Sequence, residues 1–413
     1  MPSRWGALRI PLAGILLLAG CAANRAAVTG TPELPYPPGD PKPGEIYHLR
    51  TGLRLTEEGL MDMLSGARLV CVGETHDNLN DQRVELALVR ELHRRFPGKV
   101  AVGMEMFREP QQEVLDRWVK GELTELEFLK ASKWYDTWGY DFGAYRDLLL
   151  FAKENGIDVI ALNPSGDLVR AVSRSGMDNV PEEFRGKLPD IDDSDPWQRA
   201  ALRGVFAGHA GHGAGDNAFQ SFYRVQLLWE ETMARRVVEY LKSPRGEGKR
   251  MVTVTGGWHV MYGFGLPKKI VRRLPMAYAI VLPVELSTPE QKEGRMMKTE
   301  VPEIPMLPAD FAWYVAFESV DSMRVRMGIR MEEKEGRLLV EAVAPGSPAE
   351  KAGLEKGDEL LAFDGLPVRE SVDVQYRMGE KREGDKASVT VRRAGEEKTL
   401  ELTFFRMPKK KPH

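Results

Sequence analysis

The sequence predicts an α/β protein: a largely parallel sheet flanked by helices, followed by a small, mainly β module. Three observations predict it. Short apolar runs alternate with helical patterns from about Leu55 onward. Several of those runs end at glycines that hand over to polar residues. After about residue 320 the pattern changes to short alternating strands broken by glycine turns. Strands separated by helices imply parallel pairing with both sheet faces covered.

The strand candidates are Arg68–Val72, Val100–Met104, Asp158–Leu162 and Met251–Thr255, with Tyr278–Leu282 as a further one. Between them lie helical repeats. Asp81–Phe96 carries Val84, Leu88 and Leu92; Gly143–Asn155 carries Leu148, Leu149 and Ala152. Asn217–Leu241 carries Phe222, Val225, Trp229, Met233 and Val237. Each set repeats at helical spacing. Leu162 to Asp216 has prolines and acids but a weak apolar period, which predicts an insertion with short helices.

With 413 residues, more than one domain is expected. Composition is globular, 42% hydrophobic and 29% charged, and the net charge is −3. No concentrated basic face is present, so nucleic acid is not an expected partner. The start, "MPSRWGALRIPLAGILLLAGCAAN", places two arginines before an apolar stretch too short to span a bilayer comfortably. It ends in Leu18-Ala19-Gly20-Cys21, which resembles the bacterial lipobox. The expectation is a signal peptide over 1–20, lipidation at Cys21 and an anchored protein of the cell envelope facing the periplasm or the surface. Each buried methylene of the acyl chains contributes about 0.8 kcal/mol. A proline- and glycine-rich tether then covers 21–54, the α/β domain 55–286, a linker 287–320, the β module 321–406 and a basic tail 407–413. Cys71 lies inside an apolar run, where a core thiol is expected rather than a nucleophile.

The chemistry concentrates where strands end. "GARLVCVGETHDN" stops its apolar run at Gly73 and presents Glu74 and His76. "RMVTVTGGWHVMYGFGLP" stops at Gly256-Gly257 and presents His259, and "VAVGMEMF" presents Glu105. In open α/β sheets ligands bind beyond the carboxyl ends of the strands. Glu74, His76, Glu105 and His259 are therefore expected to converge on one pocket. Two carboxylates and two histidines suit a divalent metal ion, or a histidine base oriented by glutamate. They are the candidate catalytic and metal-binding residues. No HExxH or GxSxG is present, which excludes the zincin and serine-hydrolase motifs. His209 and His212, in "GHAGHG", read as a polar loop. "KWYDTWGYDFGAYRDLLLFA" crowds six aromatics before a helix, as core packing or as the wall of a planar-ligand pocket.

"VCVGETHDN", "VGMEMF…QQEVLD", "W…AYRDLLLFA", "IALNPS", "QLLWEETMA" and "GGWHVMYGFGLP" together resemble the ChaN-like haem-binding lipoproteins, from about Leu64 to Leu274. Glu230 stands where that pattern leads one to expect aspartate. The resemblance implies haem in a pocket completed by a homodimer, a tyrosine axial ligand and His or Lys near the propionates. Tyr145 best fits the spacing, with Tyr140 second, and His76 and His259 complete the candidate cofactor set. The implied role is iron or haem acquisition or handling. The same GE-x-H motif occurs in erythromycin-esterase-like and Tiki-type metal-dependent hydrolases, so a metal-dependent hydrolase is the alternative. Over Met323 to Phe405, "VAPGSPA", Ala352-Gly353-Leu354, Gly357-Asp358 and Asp364-Gly365 resemble a PDZ domain. That implies Met327-Gly328-Ile329 as the loop receiving the terminal carboxylate of a peptide or protein partner, which adds a strand to an exposed edge.

Overall fold

The computed structural model describes residues 16–19, 40–210, 215–286, 297–300, 302–319 and 325–406. Cys21, His212, the side chain of His209 and the 407–413 tail lie outside the described residues. The chain divides into two compact units. The first comprises Met1–His76, Asn80–Gln112 and Ile157–Phe317; the second comprises Asp77–Leu79, Glu113–Gly156 and Glu318–His413.

The first unit is built on an eight-stranded sheet. Its strands are β1 (Ile46–His48), β2 (Leu53–Leu55), β3 (Leu69–Glu74), β4 (Val100–Arg108), β5 (Asp158–Asn163), β6 (Arg250–Gly256), β7 (Tyr278–Leu286) and β8 (Phe311–Ala316). They lie in the order β2-β1-β8-β7-β3-β6-β4-β5. From β8 to β5 every pairing is parallel; β1 and β2 add an antiparallel hairpin at one edge. The central strands read as continuous apolar runs because both faces are buried, and every residue of β3 is buried. Cys71 sits in this layer, fully buried, with its thiol pushed up to about 12 by burial. It is a packing residue, as expected.

Two boundaries differ from the sequence expectation. The tether extends only to about residue 44, because Ile46–His48 and Leu53–Leu55 enter the sheet. The segment assigned to a linker contains β8, which sits between β1 and β7. "FAWYVA" is a short apolar run whose first five residues are buried. Its distance in sequence from the other strands, beyond a proline-rich stretch, concealed it.

The five strand candidates and the three helical repeats are all observed, with ends that shift by at most four residues. The helices are α1 (Glu57–Leu64), α2 (Leu79–Arg95), α3 (Gln112–Val119), α4 (Glu125–Ser132), α5 (Trp134–Thr137), α6 (Phe142–Glu154), α7 (Gly166–Ser175), α8 (Pro196–Ala210), α9 (Asp216–Lys242) and α10 (Leu266–Arg273). A four-residue helix, Glu182–Arg185, also lies in the insertion, whose helices reach fifteen residues in α8. Among the described residues no helix is long and apolar enough to cross a membrane.

The second unit joins most of α3 and all of α4–α6 to the C-terminal module. In α4, Thr124 and Glu127 form a capping box, and the helix stops at Lys133 in the left-handed region. The aromatic lead-in is largely core: Trp134, Phe142 and Tyr145 are buried, with Trp134 5.5 Å from Phe142 and 5.6 Å from Tyr145 between ring centroids. The C-terminal module is an antiparallel sheet of β9 (Ile329–Lys334), β10 (Arg337–Val343), β11 (Glu359–Phe363), β12 (Leu366–Pro367), β13 (Lys386–Arg393) and β14 (Glu396–Thr403). Helices α11 (Pro348–Lys351) and α12 (Ser371–Met378) accompany it. The β9–β10 hairpin turns at Glu335-Gly336 and the β11–β12 hairpin at Asp364-Gly365, both pairs at positive φ. Paired positive φ is the two-residue turn geometry that matches strand twist. On α4, Lys130 reaches α12, with Nζ 2.8 Å from Asp373 and 3.3 Å from Glu370.

Tyr314 tests whether β8 is integral to the sheet. It is fully buried and meets Tyr47 edge-to-face at 5.9 Å. Tyr314→Ala is expected to lower unfolding free energy by about 3–5 kcal/mol, as for other large aromatic truncations, read as a shift in urea midpoint. A shift below about 1 kcal/mol would mean the strand is dispensable.

Candidate functional site

Parallel strands bring their carboxyl ends to one edge, and four predicted residues meet there. Glu74 is the last residue of β3 and lies opposite Gly256, the last of β6. Glu105 follows the register pair Met104–Val254 on the neighbouring strand. His259 ends the short turn after β6. Glu105 accepts the Gly256 amide at 2.7 Å and lies 3.5 Å from His259 Nε2. His76 Nδ1 meets Glu74 Oε1 at 2.7 Å. The glycines are required for this closeness. A Cβ at Gly256 would lie 3.1 Å from His76 Nε2, and one at Gly73 would lie 2.6–2.8 Å from Val260, Leu282 and the Gly257 backbone. The four residues expected from the sequence to converge are close together at this edge.

Behind these four, the sequence reading singled out Glu230 only as a departure from the resembling pattern and missed Gln198, Lys269 and Gln82. Glu230, on α9, is 3.3 Å from His259 Nδ1, so that ring has a carboxylate at each nitrogen. Gln198 of α8 donates to Glu230 from its amide nitrogen and accepts from Lys269 of α10 at 3.1 Å. Lys269, only 2% exposed, also lies 3.7 Å from both Glu230 and Glu231. On the other side Gln82 of α2 donates to Glu74. A signal existed: Glu230 and Glu231 interrupt the buried stretch of α9, and a buried acid implies a partner. Which lysine or glutamine supplied it depended on helix packing.

The electrostatics follow from that pairing. Burial alone would lower both histidine pKa values. For His259 the charges and hydrogen bonds of Glu105 and Glu230 outweigh it and raise the pKa to about 10. For His76, which keeps 20% of its side chain exposed, Glu74 and Glu105 outweigh burial and the shift is upward. Burial would raise Glu105, but His259, His76 and the Gly256 amide bring it down to about 2. Deeper in the same unit, burial and the charge of Glu74 hold Asp81 and Glu85 well above the usual carboxylate range. His259 therefore favours the imidazolium form near neutrality, and His76 is shifted in the same direction.

Among the described residues no group of three or more His, Cys, Asp or Glu side chains is placed to hold an ion. The strand-end histidines meet carboxylates: His76 meets Glu74, and His259 lies near Glu105 and Glu230. Of the candidate cofactor residues, His76 and His259 belong to the first unit and the two tyrosines to the second. Tyr145 is fully buried, whereas Tyr140 is 40% exposed with Trp138 5.5 Å away. Also in that unit, Met327, Gly328 and Ile329 line a cavity of about 630 Å³ with Val374 and Met378 of α12 and Tyr135 of α5. Strand β9 is outermost in the described sheet order.

The chain thus combines a parallel sheet carrying imidazole–carboxylate pairs at its carboxyl edge with a β module that contains a cavity beside its outermost strand. Residues 60–270, half of the chain, match the family model described as haem-binding uptake, Tiki superfamily, ChaN. The chain belongs to this ChaN-like haem-binding family, and residues 325–404 form a PDZ domain. A structure titled cofacial heme binding to ChaN of Campylobacter jejuni shares the fold at 14% identity and a TM-score of 0.51, covering 65% of this chain and 95% of that one. Protein RETICULATA-RELATED 5, chloroplastic, of Arabidopsis thaliana is 27% identical over 288 residues, 62% of this chain and 35% of its own length. A DegP-like periplasmic serine endoprotease of Rhizobium meliloti is 40% identical over 78 residues, 19% of this chain and 15% of its own. The chain thus spans a minor part of these curated relatives.

The buried pair fixes a pH response. The pKa of His259 rises from an ordinary 6.5 to about 10, so its contribution to stability is complete below pH 6.5 and is lost as pH climbs through about 10. Glu105 falls from 4.5 to about 2, so its contribution is present above pH 4.5 and is lost as pH drops through about 2. The thermal midpoint is expected to decline on both sides, and His259→Gln should flatten the alkaline limb. Parallel alkaline limbs in the two proteins would show that His259 is not the titrating group.

Proposed function

We propose that this chain binds haem through its ChaN-like domain and a peptide or protein C-terminus through its PDZ domain, and handles haem or iron at a lipid-anchored position in a bacterial cell envelope. One observation carries the haem reading beyond family membership: Tyr140 offers an exposed phenol beside the Trp138 ring, in the aromatic segment where the resemblance places the axial ligand. The residues fit the group. Phenolate is a hard anionic donor that favours ferric iron, and Trp138 supplies a flat apolar neighbour. Tyr145, with no exposed surface, would need the segment to open before its hydroxyl reached a ligand. Bound haem would supply a ferric centre whose phenolate bond weakens on reduction, which suits a carrier. His76, whose pKa is raised and whose ring is partly exposed, is the imidazolium best placed to meet an anionic group. His259 is already held by Glu105 and Glu230.

A second reading, a hydrolase, is favoured by one observation, the 2.7 Å contact of Glu74 with His76 at the strand ends. In that reading His76 donates a proton, as its raised pKa allows.

The haem reading is tested with haemin and absorption spectra. Tyr140→Phe is expected to remove the tyrosinate-to-iron charge-transfer band while keeping the ring, and Tyr145→Phe to retain it. The reverse pattern would transfer the ligand to Tyr145. A wild-type chain that takes up no stoichiometric haemin would leave the hydrolase reading, with Glu74→Gln the variant to assay. The anchor is tested separately. Cys21→Ser is expected to leave membranes and appear in the soluble fraction, and unchanged retention would refute lipidation at that residue.

A further inference from the structure

We propose that Tyr135 joins the peptide groove of the PDZ domain to the aromatic cluster carrying the candidate haem ligands, so that a peptide C-terminus and haem bind with mutual dependence. The haem half rests on the reading above; the groove half stands on geometry of its own.

The groove is not built by the PDZ module alone. Beside the carboxylate loop and helix α12, its wall includes Tyr135 from a segment more than 180 residues earlier in the chain. Ion pairs hold that segment to α12: Lys130 of α4 binds Asp373 and Glu370. Glu125, at the start of α4, binds Arg146 of α6 at 2.8 Å, which ties α4 to the Tyr145 helix. A peptide adding a strand beside β9 therefore lies in a cavity that Tyr135 borders, and its side chains can pack on that ring.

Tyr135 belongs to α5, a single turn flanked on each side by a residue at positive φ. Lys133 adopts φ 49°, a conformation that disfavours residues other than glycine, and Gly139 adopts φ 83°. The turn is closed by backbone bonds that include Trp138 N to Trp134 O at 2.9 Å. Trp134, in the same turn as Tyr135, packs against the ligand candidates. Trp134 Nε1 donates to the Tyr140 carbonyl at 2.8 Å, and its ring lies 5.6 Å from Tyr145. Trp138 follows the turn, 5.5 Å from Tyr140 and 6.4 Å from Tyr145. A displacement of α5 by a peptide must therefore move the rings and the backbone that position both phenols. Binding free energies coupled through one element are reciprocal, so haem must alter peptide affinity by the same factor.

The test uses the full mature chain, a fluorescein-labelled ten-residue peptide ending in valine with a free carboxylate, and the amidated peptide as control. Saturating haemin is expected to change the peptide Kd by about five-fold or more, and saturating peptide to change the haemin Kd equally. Tyr135→Ala is expected to weaken the peptide several-fold and bring the coupling factor close to one, while Tyr135→Phe keeps the ring and the coupling. A peptide Kd that ignores bound haemin, or full coupling in Tyr135→Ala, overturns the proposal while leaving haem binding intact. If haemin gives no spectrum with wild-type protein, the haem reading fails and the coupling fails with it. The peptide Kd of Tyr135→Ala then decides the groove wall alone, and a value equal to wild type removes Tyr135 from it.

Discussion

His259 is held between Glu105 and Glu230, one carboxylate at each ring nitrogen, in a place where water barely reaches. Removing charges from water is expensive, and each is tolerated only while its partners remain. That constraint runs outward through the first unit. Glu230 requires Gln198 and Lys269, Lys269 requires Glu231, and Glu231 is met in turn by Arg272 and Arg273 at 3.3 and 2.5 Å. Three helices, α8, α9 and α10, are thereby fixed behind the strand ends by charge pairing as well as by apolar contact. The insertion helix α8, which has a weak apolar pattern, takes its place in the fold partly through this network.

The same network limits what the site can do. A histidine with both nitrogens occupied is a poor ligand for a metal or for haem iron. His76 differs in that it meets Glu74 and keeps part of its side chain exposed, whereas His259 is enclosed between its two carboxylates.

The aromatic segment shows a comparable division. Trp134, Phe142 and Tyr145 form core, and Tyr140 is left at the surface. Six aromatics in one stretch read from sequence either as packing or as a ligand wall, and the packing reading holds for Trp134, Phe142 and Tyr145. What separates them is which ring the left-handed turn at Lys133 and the cap at Asp141 direct inward. Neither is visible in hydrophobic periodicity. The assignment of α4–α6 to the unit of the PDZ domain was equally hidden, because it depends on Lys130 meeting Asp373 and Glu370 across about 240 residues.

The strands, the long helices, the PDZ turns and the convergence of Glu74, His76, Glu105 and His259 were legible in the sequence because they arise from local rules. Apolar runs make buried strands, glycines mark their ends, and parallel pairing sends those ends to one edge. Strand β8 escaped because six apolar residues beyond a proline-rich stretch carry no sign of which sheet will accept them. Gln198 and Lys269 escaped because a polar or charged residue in a helix looks solvated until packing buries it. The sequence by itself determined the layers, the family and the strand-end chemistry. Only the tertiary structure decided which charges neutralise one another and which aromatic ring stays exposed, because both are set by contacts between elements distant in the chain, and no local pattern encodes the partner.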